Sequence, residues 1–245
     1  ALTTAQKSKK PVFIQCTTVI GLASSVAGTA KAHAYGLTPA EILRMEQGFT
    51  TANGMKLWAS VAKKHVEEKP KRISPNTKTY DISDLREFDN ISTRELSGKF
   101  IEKLQKKEKL LLGGSADLAD STKTKANGHV DITPRDYSGN FINYGVREHA
   151  MAAIMHGLCA SGFRPYVGTF LFFSDYMRPA IRLSAISKLP VIYVFSHDSV
   201  GVGEDGPTHQ PIEQLAALRL IPNLNVFRPC NADEVAQCWQ MAFND

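Results

Sequence analysis

Arg164-Pro-Tyr-Val-Gly-Thr-Phe170, the segment Ser174 to Ile186, and Leu189-Pro-Val-Ile-Tyr-Val-Phe-Ser196 together decide the fold. The two outer runs are apolar and β-branched and read as buried strands; the segment between them reads as a helix. The same rhythm continues on both sides. Upstream, Ser92 to Lys107 is a helix with Leu96, Phe100, Ile101 and Leu104 on one face. It is followed by a short strand at Leu110 to Leu112, a polar loop over 119–138, a strand at Phe141 to Tyr144 and a small-residue helix from Glu148 to Ser161. Downstream, the pattern predicts a helix at Ile212 to Leu218, a strand at Leu224 to Phe227 and a helix from Ala232. Alternation at this spacing predicts an α/β fold, a mainly parallel sheet flanked by helices.

The first ninety residues are organised differently. Pro11 to Ile20 reads as a strand and Gly21 to Gly36 as a small-residue loop. Thr38 as N-cap, Pro39 at the first helical position and Glu41 at the third open a helix. Met55, Trp58, Ala62 and Val66 lie on one face of a helix ending near Glu68. Residues 46–90, with Pro70 and Pro75, read as a linker between a unit at 1–45 and a domain at 91–245. Both ends read as cut, the first inside a helix and the last before a strand.

Composition excludes several function classes. The net charge of +5 comes from 29 basic and 24 acidic residues, and acids interleave with the lysines of Lys63 to Arg72 and Lys99 to Lys109. Such clusters are solvated helix faces rather than a nucleic-acid surface. No apolar run approaches a membrane span. Cys16, Cys159, Cys230 and Cys238 form no CxxC pair. They predict free thiols in a reducing, cytoplasmic compartment, without zinc or disulfides.

The chemistry gathers after the strands. His197 to Pro211 packs two histidines, three acids and three glycines into a loop that follows a buried strand. Loops at the carboxyl ends of parallel strands are where open α/β sheets bind ligands. Asp117, Glu148, Phe170 and His197 stand at four successive strand ends and are expected to face one crevice. Glu148 opens a helix, where the helix dipole favours a carboxylate; the functional alternative is an acid that polarises a heterocycle. Phe170, Phe173 and Tyr176, three apart, are placed to wall a flat slot, though such a stripe also suits a core. Arg94 with Ser121 is a candidate phosphate clamp. His33 lies in the loop after the first strand.

Gly113-Gly-Ser-Ala-Asp-Leu118, Tyr144-Gly-Val-Arg-Glu-His-Ala-Met151, Gly168-Thr-Phe-Leu-Phe-Phe173 and His197 to Pro211 resemble the signature segments of transketolases. The resemblance implies a thiamine-diphosphate enzyme that moves a two-carbon ketol unit from a ketose phosphate to an aldose phosphate, in the pentose phosphate pathway. It implies that 91–245 is most of the pyrimidine-binding domain and 1–45 the end of the diphosphate-binding domain. By the same resemblance Glu148 hydrogen-bonds the cofactor's aminopyrimidine, while Phe170, Phe173 and Tyr176 hold that ring and Asp117 lies toward the thiazolium. Asp205, His209 and His33 bind the sugar and assist proton transfer, and Arg94, Ser121 and His197 hold its phosphate. Glu148, His209 and His33 are then the catalytic residues.

The resemblance also implies a homodimer whose second subunit completes the cofactor site. Mg²⁺ or Ca²⁺ would be held through a domain outside this chain, because no Gly-Asp-Gly followed by Asn occurs in it, and no metal ligand is assigned here. The chain departs from the family pattern at Ala30 and at Ala34-Tyr35-Gly36, beside His33. Two alternatives stay open: an inactive pyrimidine-domain remnant acting as a binding module, and a sister thiamine enzyme such as dihydroxyacetone synthase.

Overall fold

The computed structural model describes residues 7, 8, 12, 19, 24–29, 32, 37–44, 80 and 90–244. The chain divides into two compact units, Ala1–Lys69 and Pro70–Asp245. The strand expected at Pro11 to Ile20, His33, Cys16 and the helix expected at Met55 to Glu68 lie outside the described residues, as does most of the 46–90 segment.

In the first unit, a helix over 39–44 starts as its sequence requires. The Glu41 carboxylate accepts from the Thr38 backbone N–H at 2.9 Å and from the Thr38 hydroxyl at 2.8 Å, and it also receives the Ser25 N–H at 2.7 Å. The reciprocal Thr38 Oγ1 contact to the Glu41 N–H, 3.3 Å, closes a capping box. These donors favour the charged form and hold the Glu41 carboxyl down to about 2.

The second unit is a four-stranded parallel sheet in the order β2-β1-β3-β4. Its strands are β1 (Leu111–Ser115), β2 (Phe141–Asn143), β3 (Arg164–Phe170) and β4 (Ile192–Ser196). Helices α1 (Thr93–Lys107), α2 (Ala119–Thr122), α3 (Glu148–Ala160), α4 (Ser174–Ile186), α5 (Gln214–Arg219) and α6 (Ala232–Asn244) connect and cover them. The expected α/β class and parallel pairing are observed. Because every strand runs the same way, all four carboxyl ends meet at one edge.

Two apolar clusters sandwich the sheet. On one face, Leu96, Phe100, Ile101 and Leu104 of α1 pack with Trp239 and Phe243 of α6 and with Tyr166 of β3. Trp239 stacks on Phe100 at 6.2 Å and donates its indole N–H to the Ser97 hydroxyl at 2.9 Å. On the other face, Met151 and Met155 of α3 meet Met177 and Ile181 of α4 over Val167. All seven residues of β3 are buried, as expected for a central parallel strand. Each buried Leu, Ile, Phe or Met contributes about 1.5–3 kcal/mol.

The pair Gly113-Gly114 answers to a steric demand. A Cβ on Gly113 meets the Tyr166 hydroxyl, and one on Gly114 meets the Tyr144 ring. The two tyrosines lie so close to β1 that only hydrogen fits there.

Two expectations are corrected. Leu224 to Phe227 is not a strand. Leu224 and Val226 turn inward onto the second cluster while Asn225 and Phe227 turn outward, so the alternation is real. Among the described residues the sheet nevertheless ends at β4, and without a neighbouring ladder the segment forms no strand. The stretch 119–138 is also not loop throughout. Its first four residues form α2, whose Thr122 hydroxyl returns to the Leu118 carbonyl at 2.8 Å.

Lys106 pairs with Glu102 one helical turn away at 3.0 Å, the solvated pattern expected of that basic cluster. Among the described residues no helix is long and apolar enough to cross a membrane.

Candidate functional site

The carboxyl edge of β3 and β4 carries a stack of rings. β3 ends at Phe170, a 3₁₀ turn Leu171–Phe173 follows, and α4 begins at Ser174. The three aromatics therefore come from a strand end, a 3₁₀ turn and a helix start, not from one helix. Phe170 and Phe173 stack at 5.8 Å with planes 11° apart, and Phe173 and Tyr176 at 5.9 Å with planes 20° apart. The ladder opens outward: Phe170 is buried, whereas Tyr176 is 56% exposed. A core stripe would bury all three.

Histidines close the ladder. The His197 imidazole lies on Phe170 at 3.8 Å and 28°. His209 meets Phe173 edge-on at 5.0 Å and Phe170 at 6.0 Å. The Nδ1 of His209 pairs with the Thr208 hydroxyl at 2.9 Å. His197 and Asp117 both adopt left-handed backbone, φ 52° and 62°. That conformation costs a non-glycine residue about 1–2 kcal/mol, and such strain gathers at functional sites.

His197 also ties the edge to α1. Arg94 Nη1 lies 3.3 Å from His197 Nε2, and His197 Nδ1 lies 2.9 Å from the Ser196 hydroxyl. Guanidinium can only donate, so Nε2 is the acceptor and the ring proton sits on Nδ1. Burial, then the Arg94 charge, push His197 below its usual value, with Asp205 opposing. The same guanidinium reaches the Ser121 carbonyl at 3.4 Å, rather than its hydroxyl. Arg94, Ser121 and His197, spread over more than a hundred residues of chain, thus meet. Asp205 stands exposed at the end of the 3₁₀ turn Val200–Asp205.

Glu148 is the first residue of α3, after β2. Its side chain is 8% exposed, and its carboxylate accepts no hydrogen bond from the described residues. The carboxylate oxygens are not among the fully buried polar atoms, so they stay open to a ligand. Asp117 follows β1 and is exposed. Its turn is set by the Ser115 hydroxyl, which donates to the Gly168 carbonyl at 2.9 Å and accepts the Leu118 N–H at 3.2 Å.

One cavity among the described residues takes in only one of the four strand-end residues. A cavity of about 1060 Å³ runs along β4 to residues 223–229; Arg94 and His197 line it, but Asp117, Glu148 and Phe170 do not. β2 and β4 are separated by two intervening strands, so Glu148 and His197 stand well apart along the edge. His33 is outside the described residues.

The cavity also brings in two residues that sequence reasoning passed over. Arg228 Nε donates to Asp198 Oδ2 at 2.6 Å, and both line the cavity along with Arg94 and His197. The signal available was position: Arg228 follows an apolar run just as His197 does.

The sequence model described as "Transketolase, pyrimidine binding domain" matches residues 89–245, and "Transketolase, thiamine diphosphate binding domain" matches 1–92. The chain is 39% identical over 279 residues to the transketolase of Sinorhizobium medicae, covering 100% of this chain and 40% of that protein. Among solved structures, it resembles the transketolase of Campylobacter jejuni with a TM-score of 0.70 and 34% identity, over 100% of this chain and 42% of that one. It also resembles the Pichia stipitis transketolase complex with sedoheptulose-7-phosphate, with a TM-score of 0.67 and 36% identity, over 93% and 40%. The chain spans about two-fifths of the length of the curated relatives it matches. The pyrimidine-domain match extends over most of the chain, through both the ring ladder and Glu148, and the chain belongs to the transketolase family.

Proposed function

We propose that this chain supplies the pyrimidine-binding half of a thiamine-diphosphate site and part of the adjoining sugar-phosphate site in a transketolase. The enzyme transfers a two-carbon ketol unit from a ketose phosphate to an aldose phosphate. The observation that carries this is Glu148, 8% exposed and with its carboxylate free of hydrogen bonds to the described residues, at the edge that also holds three stacked rings.

The residues present fit the cofactor's head group. Glu148 offers a carboxylate to a ring nitrogen, and Phe170, Phe173 and Tyr176 offer flat apolar surface to an aromatic ring. Thiamine diphosphate, when bound, supplies the nucleophilic carbon and the electron sink for carbon–carbon cleavage. The chain's own residues do the rest. The Glu148 carboxylate would accept a hydrogen bond from a ring nitrogen of the head group. His209, with its Nε2 making no hydrogen bond to the described residues, is placed to hold or move a proton on the sugar. Arg94 lines the same cavity as Arg228, whose charge is offset by Asp198, and its guanidinium suits a phosphate monoester. Asp117 and Asp205, both exposed, would serve the thiazolium side and the sugar hydroxyls respectively.

The reading extends to Mg²⁺ or Ca²⁺ held through the diphosphate domain, to a homodimer that completes the site, and to the pentose phosphate pathway. A cytoplasmic location accords with Cys159, Cys230 and Cys238, which are free thiols.

The test is complementation. Ketol transfer is measured for this chain alone and together with a separately expressed diphosphate-binding domain from a relative, with thiamine diphosphate and Mg²⁺. Transfer with the complement, lost on Glu148→Gln, is the expected result. No transfer and no cofactor binding with any complementing domain would leave the remnant reading in its place.

A further inference from the structure

The loop from His197 to Pro211 carries His209 and Asp205, yet most of it is exposed, and two of its glycines, Gly203 and Gly206, take left-handed backbone. Such a loop has little packing of its own to fix a side chain to within an ångström. Its entrance is fixed by the His197 imidazole lying on Phe170. Its exit is fixed by a different device. Gln214, fully buried at the start of α5, donates from Nε2 to Asp175 Oδ2 at 2.7 Å and accepts the Ile212 N–H on Oε1 at 2.9 Å. Only one orientation of the amide satisfies both partners, so the side chain is locked. The other Asp175 oxygen holds Arg178 at 2.7 Å. Pro179 removes the backbone bond that would return to the Asp175 carbonyl, leaving side-chain bonds to order this turn of α4.

Asp175 sits beside Tyr176 and two residues after Phe173, in the turn that carries the outer half of the ring ladder. We propose that Asp175 and Gln214 are positioning residues that pin the loop exit to the ladder and thereby set His209 edge-on against Phe173. Loop and ladder are then two halves of one site, referenced to each other at the loop exit through a charge-assisted hydrogen bond. The catalytic meaning of that registration rests on the ketol-transfer reading; the registration itself does not.

The test uses this chain without cofactor or second domain, so its outcome is separate from that of complementation. Gln214→Glu sets two carboxylates against each other in a buried place; Asp175→Asn combined with Gln214→Glu restores a donor facing an acceptor. Two readouts are taken at pH 8: the rate of glutamyl-endopeptidase cleavage at Glu204, and the NMR positions of the His209 ring protons, displaced by the Phe173 ring. Gln214→Glu is expected to speed cleavage by about tenfold or more and to move the His209 signals to free-imidazole positions. The double variant is expected to bring both back. Asp175→Ala, at a partly exposed position, covers the case in which Gln214→Glu does not fold, and is expected to act in the same direction. Unchanged His209 signals in both single variants, or a double variant as loose as Gln214→Glu, overturns the proposal.

Discussion

The His197 imidazole lies flat against the Phe170 ring at 3.8 Å while its Nε2 accepts from Arg94, so one histidine joins the aromatic ladder to the cationic wall. Phe170 ends β3 and His197 follows β4, and the parallel register Phe170↔Ser196 brings the two rings together. Consequences follow for phosphate binding, for catalysis and for acid sensitivity.

Arg94→Ala removes a permanent charge and the donor that sets the His197 tautomer. In the complemented enzyme, KM for phosphorylated sugars is expected to rise about tenfold or more with kcat little changed, as loss of uniform binding dictates. Non-phosphorylated acceptors should show no comparable rise. Steady-state kinetics on paired acceptors with and without the phosphate make the check.

Glu148→Gln keeps the shape of the side chain and removes its charge. The complemented enzyme is expected to lose about a hundredfold or more in kcat. Circular dichroism and the thermal midpoint of this chain should change little, since the carboxylate makes no hydrogen bond to the described residues that the substitution would break. A variant with full turnover argues against Glu148 as the group that contacts the cofactor.

Acid should destabilise the second unit. His129, His156 and His197 are all pushed below the ordinary histidine value, each first by burial, with Arg94 adding to the effect on His197. Below about pH 6.5 the unfolded chain takes up protons that the folded chain resists, so stability falls as pH falls toward the lowered folded values. Urea midpoints at pH 7.5, 6.5 and 5.5 should decline in that order. His197→Asn should flatten part of the decline, and identical slopes would remove His197 from the account.

Gly114→Ala drives a methyl into the Tyr144 ring. Overpacking at a buried strand costs about 1–3 kcal/mol, read as a lower urea midpoint with an unchanged m-value. Gly157→Ala makes the control: nothing lies within 4 Å of a Cβ there, and it sits in a helix that alanine favours.

How legible each feature was depended on how local its cause is. The Thr38 cap with Glu41 and the span of α4 follow from neighbours within one helical turn, and the chain adopts them as read. Leu224 to Phe227 carried an equally good strand pattern and formed none, because a strand requires a ladder partner and alternation says nothing about whether one stands alongside. Arg228 escaped notice for a related reason: its place on the wall with Arg94 is a fact of tertiary packing.

What the amino-acid order determined by itself was the α/β rhythm, the helix caps and the set of strand-end residues able to do chemistry, since each rests on periodicity or on contacts a few residues apart. The order β2-β1-β3-β4, the meeting of Arg94 with His197, the clamp of Gln214 on Asp175 and the solitude of Glu148 were decided only on folding. Contacts between residues tens of positions apart depend on which strand each crossover delivers beside which, and that is settled by burial of the whole sheet at once.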